Sequence, residues 1–307
     1  MSAPSSSIIK NRPQIKNIIA TLENNLNSIV NCTVYNQINI DNMISIVMTT
    51  HDRIPQTLFT LDTINKSLSC HKIQVIIVDD SVKFINSSLF SKYKFEINYV
   101  KINNRNKTWI NPCVNYNIGF KFVKGKKIII QNSEVCHVGD IVSYLDDKLI
   151  SGTYFVFDVM NSPLDKINNE IYDLWNADLF NYKNIIDFFD SRNINDWYQH
   201  YPYYSRNFHF LTAIHIDDFL KTGGFDCDFA MGISYDDDEF VYRISQVLKL
   251  KIYNVENQEN KIFGVHQYHT KILDLHENVQ GLSQVNKILL NFKTNYFSKT
   301  KKWAKLH

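Results

Sequence analysis

Apolar positions in this chain follow two patterns, continuous runs and helical spacings. Residues 43–48 and 73–78 are continuous apolar runs rich in β-branched side chains, and polar residues end each run. Such runs are typical of strands that are buried on both faces. A weaker run covers residues 97–102, and another begins at Lys126, with helical spacings between them. This order predicts an α/β fold with a mostly parallel central sheet flanked by helices.

The same pattern predicts how the chain is divided. Residues 1–40 are expected to form an N-terminal helical arm, because Pro13 is followed by apolar residues at helical spacing, namely Ile15, Ile18, Ile19, Leu22, Leu26 and Ile29. Residues 41–270 are predicted to form the main α/β domain, with a first half at 41–150 and a second half at 151–270. Residues 271–307 are predicted to be a C-terminal helical extension with a basic tail.

One part of the second half has little periodicity. Residues 161–211 are rich in Asn, Asp, Trp and Tyr, so they are either a long functional loop region or a small helical insertion. Aromatic side chains in and beside this segment offer flat apolar faces with polar edges on which a ligand could stack, although aromatic residues more often pack a core. The candidates are Trp175, Trp197, Tyr201, Tyr203 and Tyr204.

Composition narrows the classes of function. With 33 Lys and Arg against 31 Asp and Glu, the formal charge of +2 does not favour nucleic acid as a partner. The five cysteines form no CxxC pair, so reduced thiols are expected. The N-terminus lacks a signal-peptide pattern, and no apolar run approaches the roughly 20 residues of a membrane helix, so a cytoplasmic protein is expected. The basic tail could contact a membrane surface or pack on the domain.

Polar residues gather where the predicted sheet would place a binding site. Residues 50–52, 79–80 and 132–134 follow three of the predicted strands, and ligands of such sheets bind at the carboxyl ends of the strands. Four acids at residues 236–239 precede an apparent helix, whose dipole would stabilise them. Adjacent carboxylates also repel, so one of them could have a raised pKa and take a proton from a hydroxyl.

The segments "SIVMTTHDR", "VIIVDDS", "IIIQNSE" and "GGFDCDFAMGISYDDDEFVYR" occur in an order that resembles GT-A glycosyltransferases of the family 2 type. The resemblance covers roughly residues 43–243. It implies transfer of a sugar, a hexose or N-acetylhexosamine, from a nucleotide sugar to an acceptor hydroxyl, with inversion. UDP is the nucleotide implied by family habit, and the acceptor would be a glycan, a protein or a small molecule.

The resemblance also implies roles for individual residues. Those assigned to the nucleotide sugar are Thr49, His51, Asp52, Arg53, Asp79, Asp80, Asn117 and Asn132. Asp79 or Asp80 would accept a hydrogen bond from the base, and Asn117 would help to close the donor pocket. Asp236 and Asp237 match the catalytic acid pair, with Asp237 as the general base. Arg53 and Arg105 are candidate partners of the diphosphate.

A departure from the family pattern concerns the metal. Asn132, Ser133 and Glu134 stand where the family has Asp-x-Asp, which binds Mn²⁺ or Mg²⁺ through hard oxygen ligands. Glu134 still offers a carboxylate, Asn132 offers a neutral carbonyl oxygen, and His266 or His269 could complete the ligand set.

The alternative is a glycosyltransferase-like protein that binds a sugar nucleotide or glycan without turnover. A sugar nucleotidyltransferase is disfavoured because the first loop has no glycine, and a dinucleotide-dependent oxidoreductase because no G-x-G-x-x-G follows a strand.

Overall fold

The computed structural model of this protein describes residues 6–103, 107–270 and 277–306, with side chains from residue 13 onward. The strands of this part of the chain are β1 Val30–Tyr35, β2 Ile44–Thr50, β3 Ile73–Asp79, β4 Glu96–Ile102, β5 Lys127–Asn132, β6 Val135–Val138, β7 Thr153–Phe157, β8 Val159–Asn161, β9 Trp197–Gln199, β10 Leu211–His215, β11 Lys251–Val255 and β12 Phe263–His266. The helices are α1 Ser6–Asn24, α2 Ile54–Ile64, α3 Cys113–Phe120, α4 Ile141–Lys148, α5 Asp165–Asn176, α6 Tyr182–Asp190, α7 Ile216–Thr222, α8 Asp236–Tyr242, α9 Asn257–Asn260 and α10 Val279–Thr300.

The larger sheet confirms the predicted α/β class. Within the described residues its order is β1-β4-β3-β2-β5-β10-β7-β11. The pairs from β4 through β3 and β2 to β5 are parallel, as is β7 with β11. The remaining neighbours, β1 with β4 and β10 with both β5 and β7, are antiparallel. The parallel part carries the strand ends that the sequence marks as polar.

The central strands are buried because helices cover both faces of the sheet. In β2, Ile46 and Met48 pack into one core cluster, whereas Val47 between them packs into the cluster on the opposite face. Successive side chains of a strand point to opposite faces of the sheet, so neighbouring residues pack into different clusters. Helix α3 lies especially close to the sheet, since a Cβ on Gly119 would be 2.7 Å from Cγ1 of Val47. The continuous apolar runs are therefore strands whose two faces are both covered by helices.

A smaller sheet in the order β6-β12-β8-β9 lies beside the main one. Strand β12 pairs antiparallel with β6 and parallel with β8, so that His266 is opposite both Val135 and Asn161. Helices α5 and α6, of 12 and 9 residues, lie in the first part of the segment with poor periodicity, and loops and the short strand β9 make up most of the rest, so the segment combines both alternatives. Trp175 of α5 packs against Phe59 and Phe180 in a core cluster. Its ring is therefore used for packing rather than as an exposed surface on which a sugar could stack.

Some local expectations were wrong. Residues 30–35, inside the predicted helical arm, form β1, and Pro13 lies within α1 rather than in its first turn. His137 lies in β6, and its Nε2 is 2.8 Å from Oε1 of Gln131. Asp140 is the N-cap of α4, where its side chain accepts from the backbone N–H of Ser143. Short strands with mixed polarity give no clear period, which explains the missed strand.

The C-terminal helix is fixed to the main domain by buried charges. Lys293 of α10 is 0% exposed, and its Nζ lies 2.5 Å from a carboxylate oxygen of Asp226 and of Asp228. Nζ also donates to the carbonyl oxygen of Ala304 at 3.0 Å. The terminal helix therefore packs on the domain. None of the helices in the described residues combines the length and the apolar character needed to cross a membrane.

Candidate active site

The ends of β2, β3 and β5 lie side by side at one edge of the main sheet. Thr49 of β2 is opposite Val78 of β3 and Asn132 of β5. The side-chain oxygen of Asn132 accepts a hydrogen bond from the Tyr116 hydroxyl at 3.2 Å. The parallel register thus brings together the three polar strand ends that the sequence separates by more than 80 positions.

Asp80 organises the loop that follows β2. Its carboxylate contacts His51 Nδ1 at 2.8 Å, the Asn115 side-chain amide at 2.9 Å, and Lys107 Nζ. Burial alone raises the pKa of Asp80, but these three partners outweigh it and lower the pKa to about 2. The hydrogen bond that His51 donates to Asp80 raises the pKa of His51. Sequence reasoning missed Lys107 and Asn115, since neither belongs to a strand-end motif.

Asp79 and Asp52 shape the backbone of the same loop. Asp79 is 0% exposed, accepts from the Tyr99 hydroxyl and from the backbone N–H of Ser81, and so has protein partners on both oxygens. Asp52 has a left-handed φ of 52°, and its Oδ1 accepts from the backbone N–H of Val82 at 3.1 Å. Both carboxylates therefore hold the loop in place.

Glu134 is the centre of a buried cluster of cationic and imidazole groups. It is 1% exposed, and its Oε1 accepts from Arg53 Nη1 at 2.6 Å. Nε2 of His266 and Nε2 of His269 lie 3.3 Å and 3.4 Å from the same oxygen. Burial raises the pKa of Glu134, but the Arg53 guanidinium and the two imidazoles outweigh it and hold that pKa well below its usual range.

The two histidines reach Glu134 because β12 pairs with β6. Gln267, which follows β12, donates its backbone N–H to the Glu134 carbonyl oxygen at 2.9 Å. Its side-chain amide donates to that oxygen at 3.0 Å and to Thr60 Oγ1 at 3.1 Å. Gln267 is therefore a positioning residue that the sequence did not reveal, because its role depends on pairing over a long sequence separation.

These side chains fit a divalent cation. One ligand atom each of Glu134, His266 and His269 lie within 4.8 Å of one another. One carboxylate oxygen and two imidazole nitrogens are a donor set that transition-metal cations such as Mn²⁺ accept. Nδ1 of His269 faces the carbonyl oxygen of Thr270 at 3.0 Å, which favours a tautomer with the lone pair on Nε2. The side chains of this cluster could therefore hold a cation.

A second acidic group lies at the start of α8. Asp236 is 4% exposed and accepts from the Asn111 side-chain amide at 2.9 Å, whereas the Asp237 side chain is 27% exposed. Burial and the Asp237 carboxylate raise the pKa of Asp236 to about 6. Buried His209 contacts Asp237; burial lowers the pKa of His209, but Asp237 and Asp236 outweigh it and raise that pKa. Sequence reasoning did not single out Asn111 or His209.

Side chains hold the turn that precedes α8. Asn117 donates to the carbonyl oxygen of Phe225 and accepts its backbone N–H, both at 2.8 Å. Gly224 has a φ of 84°, and a Cβ there would lie 2.5 Å from Oδ1 of Asn117. Arg243 bonds the carbonyl oxygens of Thr222 and Gly224. Asn117 therefore fixes the turn that leads to the acids.

Tyr116 is near both acidic groups. Its hydroxyl bonds Asn132, and the ring of His209 meets its ring edge to face at a centroid distance of 4.7 Å. Burial, the charge of Glu134 and the charge of Asp237, in that order, raise the pKa of Tyr116 well above its usual range. Both acidic groups are therefore close enough to act on one tyrosine.

An open cavity of about 590 Å³ lies at the edge of the smaller sheet. It is lined by Asn195, Asp196, Trp197, His200, Tyr203 and Tyr204. The rings of Trp197 and His200 stack at a centroid distance of 4.1 Å, and Tyr203 is 83% exposed. The cavity thus combines flat rings with polar edges. Arg105 lies outside the described residues.

No family model matches the sequence, and no curated protein matches it. Solved structures do match. The chain is similar to the mannosyltransferase PcManGT from Pyrobaculum calidifontis in complex with GDP-Man and Mn²⁺, at 12% identity and a TM-score of 0.45, over 97% of this chain and 72% of that one. It is also similar to S. aureus TarS 1-349 in complex with UDP-GlcNAc, at 12% identity and a TM-score of 0.49, over 85% and 76% of the two chains. The form of TarS in complex with UDP matches at 14% identity with a TM-score of 0.48.

Proposed function

We propose that this protein is a glycosyltransferase that moves a sugar from a nucleotide-sugar donor to an acceptor hydroxyl with inversion. One observation carries the proposal: Tyr116 contacts the ring of His209, bonds Asn132, and is near enough to the charges of both Glu134 and Asp237 for each to raise its pKa. Such a transfer requires positive charge for the leaving diphosphate and a base for the attacking hydroxyl. The two groups meet these requirements at one edge of the sheet.

The donor diphosphate would lie against the Glu134 cluster. Glu134, His266 and His269 would hold Mn²⁺ or Mg²⁺, with Asn132 nearby on β5 as a neutral oxygen donor. When bound, the cation would neutralise charge on the leaving diphosphate. Arg53, whose guanidinium is beside Glu134, would supply a further positive group.

The nucleotide would lie over the loop after β2, with UDP as the proposed form. His51 and Asp52 keep 33% and 42% of their side chains exposed there. Asp80 would orient His51 through Nδ1 and would offer the carboxylate nearest to the base. Thr49 would line the floor between the nucleotide and Tyr116.

Asp237 would be the general base. Its side chain is the more exposed of the two leading acids of α8, and His209 fixes its position. Asp237 would take the proton of the acceptor hydroxyl, and that oxygen would attack the anomeric carbon. The new C–O bond would form as the bond to the phosphate oxygen breaks, and the electron pair would leave with the nucleoside diphosphate. Asp236 would remain the buried partner bonded to Asn111.

The acceptor would use the aromatic cavity at the edge of the smaller sheet. Rings of His200, Tyr203 and Tyr204 offer flat apolar faces, and Asp196 offers a hydrogen-bond acceptor, which together suit a pyranose. An acceptor glycan is therefore the class that we favour over a protein acceptor.

The test measures donor binding and turnover. UDP and GDP are titrated calorimetrically with and without Mn²⁺, and nucleoside diphosphate release is then followed with a panel of UDP-sugars and GDP-sugars. Asp237→Asn should lower turnover about 10²–10⁴-fold while donor affinity stays unchanged. Asp238→Asn, which makes the same change at the next residue of α8, is the matched control and should keep activity.

Two outcomes would contradict the proposal. Absence of nucleotide binding under every condition would remove the donor site. Tight binding without release of nucleoside diphosphate, in the presence of every acceptor class, would favour the alternative of a sugar-nucleotide-binding protein.

A further inference from the structure

Arg53 and the two histidines share one oxygen atom. Oε1 of Glu134 is 2.6 Å from Arg53 Nη1, 3.3 Å from His266 Nε2 and 3.4 Å from His269 Nε2. A divalent cation held by this oxygen and the two nitrogens would lie against the guanidinium. Like charges so close in a buried site repel strongly. Arg53 in its present position and a bound cation therefore compete for Glu134.

The Arg53 guanidinium is weakly anchored. Within the described residues it makes one hydrogen bond, through Nη1 to Glu134, and its Nε is buried without a hydrogen-bond partner. Arg243 provides the contrast, since its Nε, Nη1 and Nη2 all donate, to Glu239 and to two backbone carbonyl oxygens. Arg53 is also 23% exposed and precedes α2 in a loop. Loss of a single bond would release it toward the site.

We propose that Arg53 is a built-in counter-cation of Glu134 which a divalent cation displaces, and that the released guanidinium then binds the donor diphosphate. A guanidinium presents a planar fork of donors that matches phosphate oxygens, and the Nε donor without a partner would be used there. This inference rests on the proposed donor site. It adds that cation binding and diphosphate binding are coupled through one side chain, in both directions.

The test compares two affinities in one variant. Mn²⁺ binding is measured without nucleotide, from the electron paramagnetic resonance signal of free Mn²⁺, and UDP and GDP binding is measured by calorimetry at saturating Mn²⁺. Arg53→Gln should bind Mn²⁺ about tenfold more tightly than the wild type and the nucleotide about tenfold more weakly, a coupling of ordinary size. A purely structural role for Arg53 would not shift the two affinities in opposite directions.

Controls separate this effect from general charge and from misfolding. Lys66→Gln makes the same charge change at an exposed cation just after α2, paired with exposed Asp178, and should leave both affinities unchanged. Arg53→Met keeps an apolar stem and gives the same readout if the glutamine variant does not fold. Circular dichroism shows which variants are folded.

Each outcome is decisive for one of the two proposals. Equal or weaker Mn²⁺ binding by Arg53→Gln, or the absence of Mn²⁺ binding in both proteins, would overturn the displacement mechanism even if nucleotide binds. Tighter Mn²⁺ binding by the variant, with no nucleotide bound by either protein, would support displacement of Arg53 from Glu134 but overturn its diphosphate role together with the proposed donor site.

Discussion

Replacement of Asp236 by asparagine would change how stability depends on pH. Burial and the Asp237 carboxylate raise the pKa of Asp236 from 3.8 to about 6. The folded protein therefore holds this proton more tightly than the unfolded chain, and stability falls as pH rises from 3.8 through about 6. At 1.36 kcal/mol per pKa unit, a shift of roughly two units corresponds to about 3 kcal/mol of lost stability at neutral pH.

The distance between the two carboxylates gives a similar magnitude. Ligand oxygens of Asp236 and Asp237 lie within 4.8 Å of each other. With an effective dielectric constant of about 20, two unit charges at that distance repel by roughly 3.5 kcal/mol. The hydrogen bond from Asn111 offsets part of this repulsion. Both routes place the cost of ionising Asp236 at a few kcal/mol.

Urea unfolding at pH 4 and pH 7.5 measures this cost. Asp236→Asn should match the wild type at about pH 4 and exceed its free energy of unfolding by about 2–3 kcal/mol at pH 7.5. Asp190→Asn, the same change at an exposed residue of α6, should show no such dependence. A variant less stable than the wild type at pH 7.5, or a difference equal at both pH values, would refute the reasoning.

Two substitutions test how the site is supported. Lys293→Met should lower the free energy of unfolding by about 3–5 kcal/mol in urea unfolding, because Asp226 and Asp228 lose their buried counter-ion. Adding Asp226→Asn and Asp228→Asn should restore most of the loss, whereas a loss below about 1 kcal/mol would contradict the role of the ion cluster. Asp140→Ala should cost about 1–2 kcal/mol at pH 7, because the cap of α4 loses its acceptor. Burial raises the pKa of Asp140, but its hydrogen bonds outweigh this and lower it, so the difference should shrink as pH falls below about 4.

The sequence predicts those strands of the fold that are formed by continuous runs of apolar residues. Strands β2 and β3 are buried at nearly every position, and an uninterrupted apolar run reports this directly. Strand β10 has five residues and β1 alternates irregularly between exposed and half-buried positions, so neither has a recognisable period. Their place in the sheet is decided by pairing with strands far away in sequence, which no local pattern encodes.

The residues of the candidate site also fall into two groups, those that the sequence pattern reveals and those that only the structure reveals. Asp80, Glu134 and Asp237 follow apolar runs or precede a helix, so their positions are visible in the sequence. His209 and Lys107 belong to segments without periodicity and become partners of these acids through tertiary packing. The sequence also shows four acids at the start of α8, but which of them is accessible depends on burial. Residue type and spacing suggest candidates, and packing decides which charges meet.

Because β6 pairs with β12 over a long sequence separation, the two halves of the main domain cannot be exchanged independently of each other. Glu134 and Gln267, which bond each other, are 133 positions apart along the chain. Two of the three candidate cation ligands, His266 and His269, thus belong to the half of the chain that also carries the aromatic cavity. A chimera that exchanged residues 151–270 to alter the acceptor would exchange these ligands as well. Acceptor preference and cation affinity would therefore be inherited together, and divergence of one would constrain the other.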